Sequence, residues 1–265
     1  MNIPVLIIYR RFRWADLQIK RLEECHKRDD IEKALGSVLE SLEESYQHVL
    51  LNIDSKDQPQ ALKILTWLSF SLAPLTLQAI QTIAELEISD SVIEVCTTSL
   101  VTINAEYIIR LAHFSVKEFL ISAYARKEVS FFYLSAQPAH GIILEILLRE
   151  IHDYCNVRLN EFNSENEPLL DYAARFWDGH MKEFCESTPP GDLQETIDHI
   201  FLHQQCYSNW IRLRADSLGF ERWYHDSSHF HTPLGMASNL GLERTAKILL
   251  EEGQDPDYPT ITEAY

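Results

Sequence analysis

The chain has 265 residues, of which 46% are hydrophobic and 24% charged, so its composition is that of ordinary globular domains and its length allows one large domain or several small ones. A formal net charge of −17 argues against nucleic-acid binding, because an acidic surface repels the phosphate backbone. The five cysteines are scattered without a C-x-x-C pair, which indicates reduced thiols in a cytoplasmic protein and not a disulfide framework or zinc module. No stretch approaches the roughly 20 apolar residues of a membrane span, so we expect no membrane partner.

The first half of the chain shows helical periodicity in several stretches. Apolar residues recur at helical spacing from Phe12 to Cys25, and again from Ile31 to Ile53. Three shorter helices are predicted around Ile64, from a cap at Thr76 to Leu86, and from Ser89 or Ser91 to Leu100.

Two short runs of β-prone residues follow, Leu100 to Ile103 and Tyr107 to Leu111, and the residues between them, Asn104-Ala105-Glu106, are typical of a hairpin turn. A helix is expected at once, because Ser115-Val116-Lys117-Glu118 has the pattern of a capping box, in which the serine covers free amides and the glutamate reaches back. Three helices, a hairpin and a closing helix between about residues 57 and 125 predict a winged-helix module.

The rest of the chain is predicted to be helical with one clear break. Helices are expected around residues 142–151 and 169–177. Pro189-Pro190-Gly191 interrupts the pattern, and a further helix is expected from Leu193 to Cys206. The segment from Trp210 to Phe230 is aromatic and less regular.

The aromatic side chains of this half allow two interpretations, a recognition surface or a core. We favour a core that joins the helical segment to the C-terminal end, because large aromatic side chains are mostly buried. The residues concerned are Tyr172, Phe176, Trp177, Trp210, Phe220, Trp223 and Tyr224.

The last stretch has the pattern of an ankyrin repeat. A T-P-L-x-x-A string begins a first helix at Thr232, Gly241 ends that helix, and L-L-x-x-G closes a second helix; Gly235 replaces the usual histidine and Gln254 the usual alanine. Only one full repeat is visible, whereas about three are usually needed for stability. Either the array is cut short, or the preceding helices act as the cap on which this repeat stacks. The residues predicted to contribute to a protein-binding end are Thr232, Pro233, Leu234, Leu249, Leu250 and Gly253.

Six short strings of the sequence follow one another with a recognisable order and spacing: Phe12–Gln18, Ala34–Tyr46, Ile64–Ser71 with Pro74–Leu77, Leu111–Leu120, Pro168–Ala174 with Trp177 and His180, and the ankyrin pattern after Thr232. In that order and spacing they resemble the region after the ATPase core of NACHT–ankyrin (STAND-type) signalling proteins of the fungal kind, including the winged-helix domain named after GPI inositol-deacylases. Each string alone is weak, whereas six in sequence are specific.

The resemblance implies an upstream P-loop domain that binds nucleotide and a winged helix that packs over it. It implies that His113 is the histidine that contacts the β-phosphate of ADP in the inactive form, with Ser115 beside it. The local physics agrees, because free amides and the positive end of a helix dipole favour an anion, and an imidazole can donate another hydrogen bond, charge-assisted if protonated. The alternative is that His113 is a packing residue between a strand and a helix.

No nucleotide site is expected within this chain. It contains no G-x-x-x-x-G-K-[ST] loop, so we expect no cofactor here, and ADP or ATP only with an upstream NACHT domain. The entry into family sequence at Arg11 predicts that such a domain exists or once did. No G-x-S-x-G elbow or nucleophile pair is present, so we expect no enzymatic activity, although sequence does not exclude a triad assembled in space.

Two groups of histidines invite a metal-binding interpretation. His199 and His203 lie at i, i+4 on a predicted helix, with Glu195 and Cys206 nearly on the same face. We expect no metal there, because the glutamate of an H-E-x-x-H motif is missing; a solvated or partner-facing helix is the simpler interpretation. The second group lies in a predicted loop without a better metal motif and comprises His225, His229 and His231.

The predicted fold is mostly α: a helical bundle, a winged-helix module with a short β-hairpin, a helical connector and a C-terminal ankyrin-like helix pair. The predicted boundaries are 1–56 for the helical end of a NACHT module, 57–125 for the winged helix, 126–230 for the connector and 231–265 for the ankyrin repeat.

The predicted function is a non-enzymatic regulatory and protein-interaction segment, which relays nucleotide state between a P-loop domain in cis and ankyrin repeats that bind another protein. The first alternative is a free-standing ankyrin-type adaptor. DNA binding through the winged helix, near Arg110 and Lys117, is disfavoured by the net charge, and an unrecognised hydrolase lacks any motif.

Overall fold

The computed structural model describes residues 13–20, 22–23, 41–86, 91–157, 166–185, 189–217 and 232–256. These residues are mostly helical with a small antiparallel sheet, as the sequence predicts. The chain divides into two compact units, Met1–Ser135 and Ala136–Tyr265. The four domain boundaries proposed from the sequence stay a prediction. Within the described ranges, no helix combines the length and apolar character that crossing a membrane requires.

The first unit contains a helical stretch at residues 13–20 and, from residue 41 onward, a run of short helices around a three-stranded sheet. In chain order these later elements are α1 (Leu42–Leu51), α2 (Gln58–Phe70), β1 (Leu75–Thr76), α3 (Leu77–Ala84), α4 (Ser91–Leu100), β2 (Val101–Ile103), β3 (Ile108–Leu111), α5 (Phe114–Leu120), α6 (Ala123–Glu128) and a 3-10 turn (Ser130–Phe132).

Helix α1 begins where Ser41 caps it. Ser41 has extended backbone angles (φ −129°, ψ 161°), its hydroxyl accepts from the Glu44 amide at 3.1 Å, and the Glu44 carboxylate accepts from the Ser41 amide at 3.3 Å. The predicted continuous helix from Ile31 to Ile53 is therefore wrong, because an extended residue 41 interrupts it. Residues 24–40 lie outside the described part of the chain.

Helices α2, α3 and α4 and the β2–β3 hairpin have the local signals that the sequence predicts. Pro59 lies in the first turn of α2, where its missing amide leaves no bond unmade. Thr76 caps α3 by accepting a backbone hydrogen bond at 3.1 Å. The hairpin turn is held by Asn104, whose side-chain oxygen accepts from the amides of Glu106 and Ile108.

The strands pair antiparallel in the order β1-β3-β2, with Leu75 opposite Ile109 and Val101 opposite Leu111. Strand β1 is absent from the sequence-based prediction, because two residues carry no periodicity and only their pairing with β3 defines the strand. A short strand between α2 and α3 that pairs with the hairpin completes a winged-helix topology.

The core of the first unit forms where α2 packs on α3, α4 and β3. Ile64, Leu65 and Trp67 on α2, Ile80 on α3 and Ile109 on β3 are buried. Burial of each such side chain stabilises the fold by about 1.5–3 kcal/mol, so the apolar stripe of α2 holds the module together.

The second unit consists of helices in its described ranges. The predicted helix from Leu193 to Cys206 is wrong, because His203 (φ −89°, ψ 107°) ends one helix and a second begins at the next residue. The segment after Trp210 is helical to Ser217, whereas residues 218–231 lie outside the described part. The helices are α7 (Ala136–Val157), α8 (Pro168–Phe184), α9 (Gly191–Leu202), α10 (Gln204–Ser217), α11 (Pro233–Leu240) and α12 (Glu243–Glu251).

Aromatic side chains form the core of the second unit. Tyr172, Trp177 and Trp210 are buried, and the two indole rings meet edge to face with centroids 5.9 Å apart, while Phe176 is half-buried. The core interpretation is thus confirmed for the three buried residues. The remaining predicted members, Phe220, Trp223 and Tyr224, lie outside the described residues.

Helices α11 and α12 pack on each other and are joined by a tight turn at Gly241. Thr232 caps α11 by accepting from the Gly235 amide at 3.0 Å, and Gly241, with φ 76°, ends that helix in the left-handed region that favours glycine. Gln254, which stands where the repeat pattern has alanine, accepts from the Leu234 amide at 3.1 Å. The sequence-predicted cap, turn and second helix are confirmed.

Helix α9 packs against both members of this pair. Between α9 and α12, the buried Thr245 hydroxyl donates to the Asp198 carboxylate at 2.7 Å, and the Gln194 amide donates to both groups, at 2.6 Å and 3.0 Å. The Arg244 guanidinium lies 3.3 Å from the same carboxylate. The connector helix therefore covers one side of the pair, as expected if the preceding helices act as its cap.

Candidate functional site

His113 begins helix α5 and has a structural role of its own. It is the N-cap residue, with extended backbone angles (φ −158°, ψ 151°), and its Nδ1 accepts from the Ser115 amide at 3.2 Å. The prediction that Ser115 caps this helix is wrong: Ser115 lies inside the first turn, and Glu118 is too far along the helix to complete a capping box. The helix is therefore capped by the ring nitrogen of His113 and not by the Ser115 hydroxyl that the sequence predicts.

Ser115 is instead the inner partner of His113. It is 2% exposed, and its Oγ lies 2.6 Å from His113 Nδ1 and 2.8 Å from the Tyr46 hydroxyl. Tyr46 belongs to α1 and is also buried. The histidine is therefore tied to a polar chain that runs into the interior of the first unit.

The chain continues to Arg13, in the helical stretch at residues 13–20. Arg13 is 8% exposed; its Nε donates to the Tyr46 hydroxyl at 3.3 Å, and its other guanidinium nitrogens bond the Ser99 carbonyl and the Asp16 carboxylate. Sequence reasoning misses Arg13 and Tyr46 as parts of this site, although both lie in strings that carry the resemblance. Arg13 and Tyr46 are 33 residues apart in sequence, and Tyr46 and Ser115 are 69 apart, so a short sequence pattern does not show that these side chains form hydrogen bonds.

The surroundings of His113 favour the neutral imidazole. Burial lowers the pKa of His113 below its usual value of 6.5, and the positive charge of Arg13 lowers it further, while Glu118 and Asp16 oppose this effect in part. Because Nδ1 accepts hydrogen bonds inside the protein, Nε2 is the ring nitrogen left to meet an outside group. The half-exposed ring of Phe114 packs against the imidazole at 4.2 Å between centroids.

Helix α4 and the wing have little of the chemistry that DNA recognition uses. In a winged helix that binds DNA, the third helix and the wing approach the duplex and usually carry lysine or arginine. The sequence of α4 contains Glu94 and neither basic residue, and the turn of the wing carries Glu106. Of the two basic residues noted in the sequence, Arg110 is exposed, and the Lys117 ammonium lies over the Phe70 ring at 4.9 Å.

The six residues predicted for protein binding all lie in or beside the α11–α12 pair of the second unit, whereas His113 and Ser115 belong to the first. Leu234 and Leu249 are buried, so they support the pair and do not form its surface. Leu250 is 45% exposed and contributes to the surface of the pair. Thr232 and Pro233 form the first turn of α11, and Gly253, with φ 89°, closes α12.

The histidines considered for a metal do not form a ligand set in the described residues. The His199 and His203 rings stack at 4.1 Å, with the His152 ring 4.9 Å from His199, yet among the described residues no group of three or more suitable side chains could hold a metal ion. Glu195 is exposed and Cys206 is a buried residue of α10. The second histidine group lies outside the described residues and comprises His225, His229 and His231.

A second buried polar chain lies between α7 and α8. His180 is fully buried, with Nδ1 2.9 Å from His140 Nδ1 and Nε2 2.9 Å from the Tyr172 hydroxyl. Burial, and then the neighbouring His140, lower the pKa of His180 to about 3. The imidazole is therefore neutral at physiological pH, and its contact with His140 joins α8 to α7.

The buried cysteines are poor nucleophiles. Burial raises the pKa of Cys96 and of Cys155 to about 12, and for Cys155 the neighbouring Cys206 adds to the effect. Since the thiolate is the reactive form, neutral buried thiols are chemically inert.

Comparison with known proteins finds a family match for the central module. Residues 48–132 match the family model of the GPI inositol-deacylase winged helix domain, and this range contains α2 to α6, the sheet and the His113 cap. A relative from Monascus ruber, azaphilone pigments biosynthesis cluster protein L, is 25% identical over 276 aligned residues, covering 91% of this chain. The chain spans 57% of the length of that curated relative. No solved structure matches the chain.

Proposed function

We propose that this chain is a regulatory and protein-interaction segment of a NACHT–ankyrin-type signalling protein in the cytoplasm. A P-loop domain in cis holds the nucleotide, the winged helix closes over ADP through His113, and the helices of the second unit relay the nucleotide state to an ankyrin-type end that binds another protein. The chain itself carries out no catalysis, and ADP or ATP is a ligand only with the P-loop domain.

The observation that carries this proposal is the attachment of His113 within a winged helix. Its Nδ1 is occupied by Ser115, through the amide at 3.2 Å and the hydroxyl at 2.6 Å. An imidazole fixed in this way presents Nε2 to a group outside the module, and a neutral imidazole offers Nε2–H as a donor. A phosphate oxygen is an acceptor of the kind such a donor binds well.

The same module supports DNA binding poorly. A recognition helix without lysine or arginine, in a chain of net charge −17, provides few of the phosphate contacts that dominate affinity for DNA. We therefore favour a winged helix that packs on protein and nucleotide, as the resemblance implies, over one that binds DNA.

ADP binding tests the proposal. The measurement compares this chain alone with an extended form that includes the proposed P-loop domain, each as wild type and as His113→Asn. Asparagine is a good N-cap and keeps α5 intact, but it removes the Nε2–H group. A hydrogen bond to a charged group contributes about 1.5–3 kcal/mol, so we expect roughly ten- to hundredfold weaker ADP binding in the extended variant.

The control is His203→Asn, which changes an exposed histidine in the second unit and is expected to leave ADP affinity unchanged. Absence of ADP binding by the extended wild type, or equal binding by His113→Asn, contradicts the sensor role.

A free-standing adaptor is the alternative, and one observation favours it. Helix α9 already covers one side of the α11–α12 pair through the Asp198–Thr245 bond, so the pair has a partner helix without any nucleotide. The adaptor predicts that a protein partner binds the α11–α12 end with the same affinity in the presence and absence of nucleotide. A nucleotide-dependent affinity supports the relay.

A further inference from the structure

We propose that Arg13, Tyr46 and Ser115 form a one-way hydrogen-bond chain that holds His113 as the Nε2–H tautomer, so that its outward nitrogen is always a donor and selects ligands with an acceptor oxygen. Arg13 and Tyr46 are positioning residues in this inference. It deepens the proposed function, because it states which atom of His113 meets the nucleotide and in which protonation state.

The direction of the chain follows from its first member. A guanidinium has only donors, so the Tyr46 oxygen accepts from Arg13 Nε at 3.3 Å. The single Tyr46 proton then serves the next contact, the 2.8 Å bond to Ser115 Oγ, and the Ser115 hydroxyl proton serves the 2.6 Å contact with His113 Nδ1. Each hydroxyl accepts from one neighbour and donates to the next, so all the protons point toward the imidazole.

The backbone enforces the same direction at the last step. The Ser115 amide, which is always a donor, also points at His113 Nδ1. Two donors at one nitrogen leave no room for a proton there, and the neutral ring therefore carries its proton on Nε2. Among the described residues no hydrogen bond reaches Nε2, since both bonds of the ring involve Nδ1, and the ring is only half-buried.

Reversal of the chain is costly. A proton on Nδ1 requires the Ser115 hydroxyl to accept, which turns its own proton toward Tyr46 and the Tyr46 proton toward Arg13, where nothing accepts it. Arg13 is held in place by the Ser99 carbonyl and Asp16. The charged groups that face the ring are Arg13 and Asp16 from the N-terminal helical stretch and Glu118 from α5.

The side chains that form this hydrogen-bond chain are buried. Arg13, Tyr46 and Ser115 are each at least nine-tenths buried, so water does not replace a missing member easily. Removal of the Tyr46 hydroxyl takes away the donor to Ser115 Oγ, so the Ser115 hydroxyl can turn and accept from Nδ1–H, and only the Ser115 amide still opposes a proton on Nδ1.

The test measures the tautomer and the titration of His113 in this protein without nucleotide. Long-range proton–nitrogen NMR correlations of the imidazole ring report both. In the wild type we expect a neutral ring with its proton on Nε2. In Tyr46→Phe we expect an Nδ1–H population to appear and the midpoint of His113 titration to rise by about one pH unit, which is tenfold in proton affinity. Ser115→Ala, which removes the last hydroxyl and not the aromatic ring, is expected to raise the midpoint in the same direction.

The matched control is Tyr124→Phe. The Tyr124 hydroxyl donates to the side chain of Gln47 at 2.8 Å. Gln47 lies on α1, the helix that also carries Tyr46, but neither Tyr124 nor Gln47 belongs to the hydrogen-bond chain. We expect this variant to leave the tautomer and the midpoint of His113 unchanged. An Nδ1–H ring in the wild type, unchanged spectra in both Tyr46→Phe and Ser115→Ala, or an equal shift in Tyr124→Phe overturns the inference.

Because the tautomer is measured without nucleotide, the two proposals fail separately. Loss of ADP binding in the extended protein with the predicted tautomer intact contradicts only the sensor role. The wrong tautomer contradicts the hydrogen-bond chain whether or not ADP binds.

Discussion

At the residue scale, the buried histidine His180 links the stability of the second unit to pH. Its pKa in the folded protein is about 3, against 6.5 in the unfolded chain, so the unfolded chain takes up a proton below pH 6.5 that the folded protein refuses. The free energy of unfolding is therefore expected to fall by about 1.4 kcal/mol per pH unit from this group as the pH drops from 6.5 toward 3. Above pH 6.5 the group contributes no pH dependence.

Urea unfolding between pH 7.5 and pH 5 checks this prediction. His180→Gln is expected to be less stable than the wild type at pH 7.5, because Tyr172 and His140 lose a buried partner, and to lose less stability on acidification. His203→Gln changes an exposed histidine and serves as the control. Parallel pH profiles for the wild type and His180→Gln would contradict the assignment.

The sequence points to His113 but not to the way in which it is held. The string around His113 and the short helix after it are visible from local pattern. The choice of His113 over Ser115 as the cap depends on the burial of Ser115 and its contact with Tyr46, which are properties of the tertiary fold. A local motif gives the helix start to within a residue or two, and packing decides which side chain performs the capping.

At the scale of elements, the bond between α9 and α12 fixes the C-terminal pair to its neighbour. Thr245→Val keeps the shape of the side chain and removes the hydroxyl that donates to Asp198. A buried hydrogen bond to a charged group contributes about 1.5–3 kcal/mol, and we expect the variant to lose about that much stability in the α11–α12 pair.

Amide hydrogen exchange of residues 233–251 measures this loss. The control is Thr196→Val on α9, where the hydroxyl bonds the Asp192 carbonyl of its own helix at an exposed position, and a change within about 0.5 kcal/mol is expected. If exchange in the pair is as slow in Thr245→Val as in Thr196→Val, the bond does not hold the pair in place.

Element types are easier to predict here than element bounds. Strong signals such as the Thr76 and Thr232 caps and the Gly241 turn lie in the sequence itself and hold in the structure. The breaks at Ser41 and His203 fall inside continuous apolar stripes. The sequence does not show them, because hydrophobic periodicity indicates which face of a helix is buried and not where the backbone angles change. Strand β1 depends wholly on its pairing with β3.

At the scale of the whole molecule, fold class and central module follow from the sequence, and partners do not. The winged helix is recognisable from element order and is matched by a family model over residues 48–132. The identity of a partner depends on exposed residues such as Leu250. Folding of the helix pair restricts the choice of such residues very little, so the fold does not reveal the partner. The proposed signalling role therefore has to be tested by the response of the protein to nucleotide.

The most direct test of the account is amide hydrogen exchange of the upstream-extended protein in its ADP-bound and ATP-analogue-bound states. We predict that ADP slows exchange around His113 at the start of α5, and that exchange in α11 and α12 differs between the two states because the second unit relays the change. Identical exchange in both states, at α5 and at α11–α12 alike, would contradict the proposal that this chain reads a nucleotide and passes its state on.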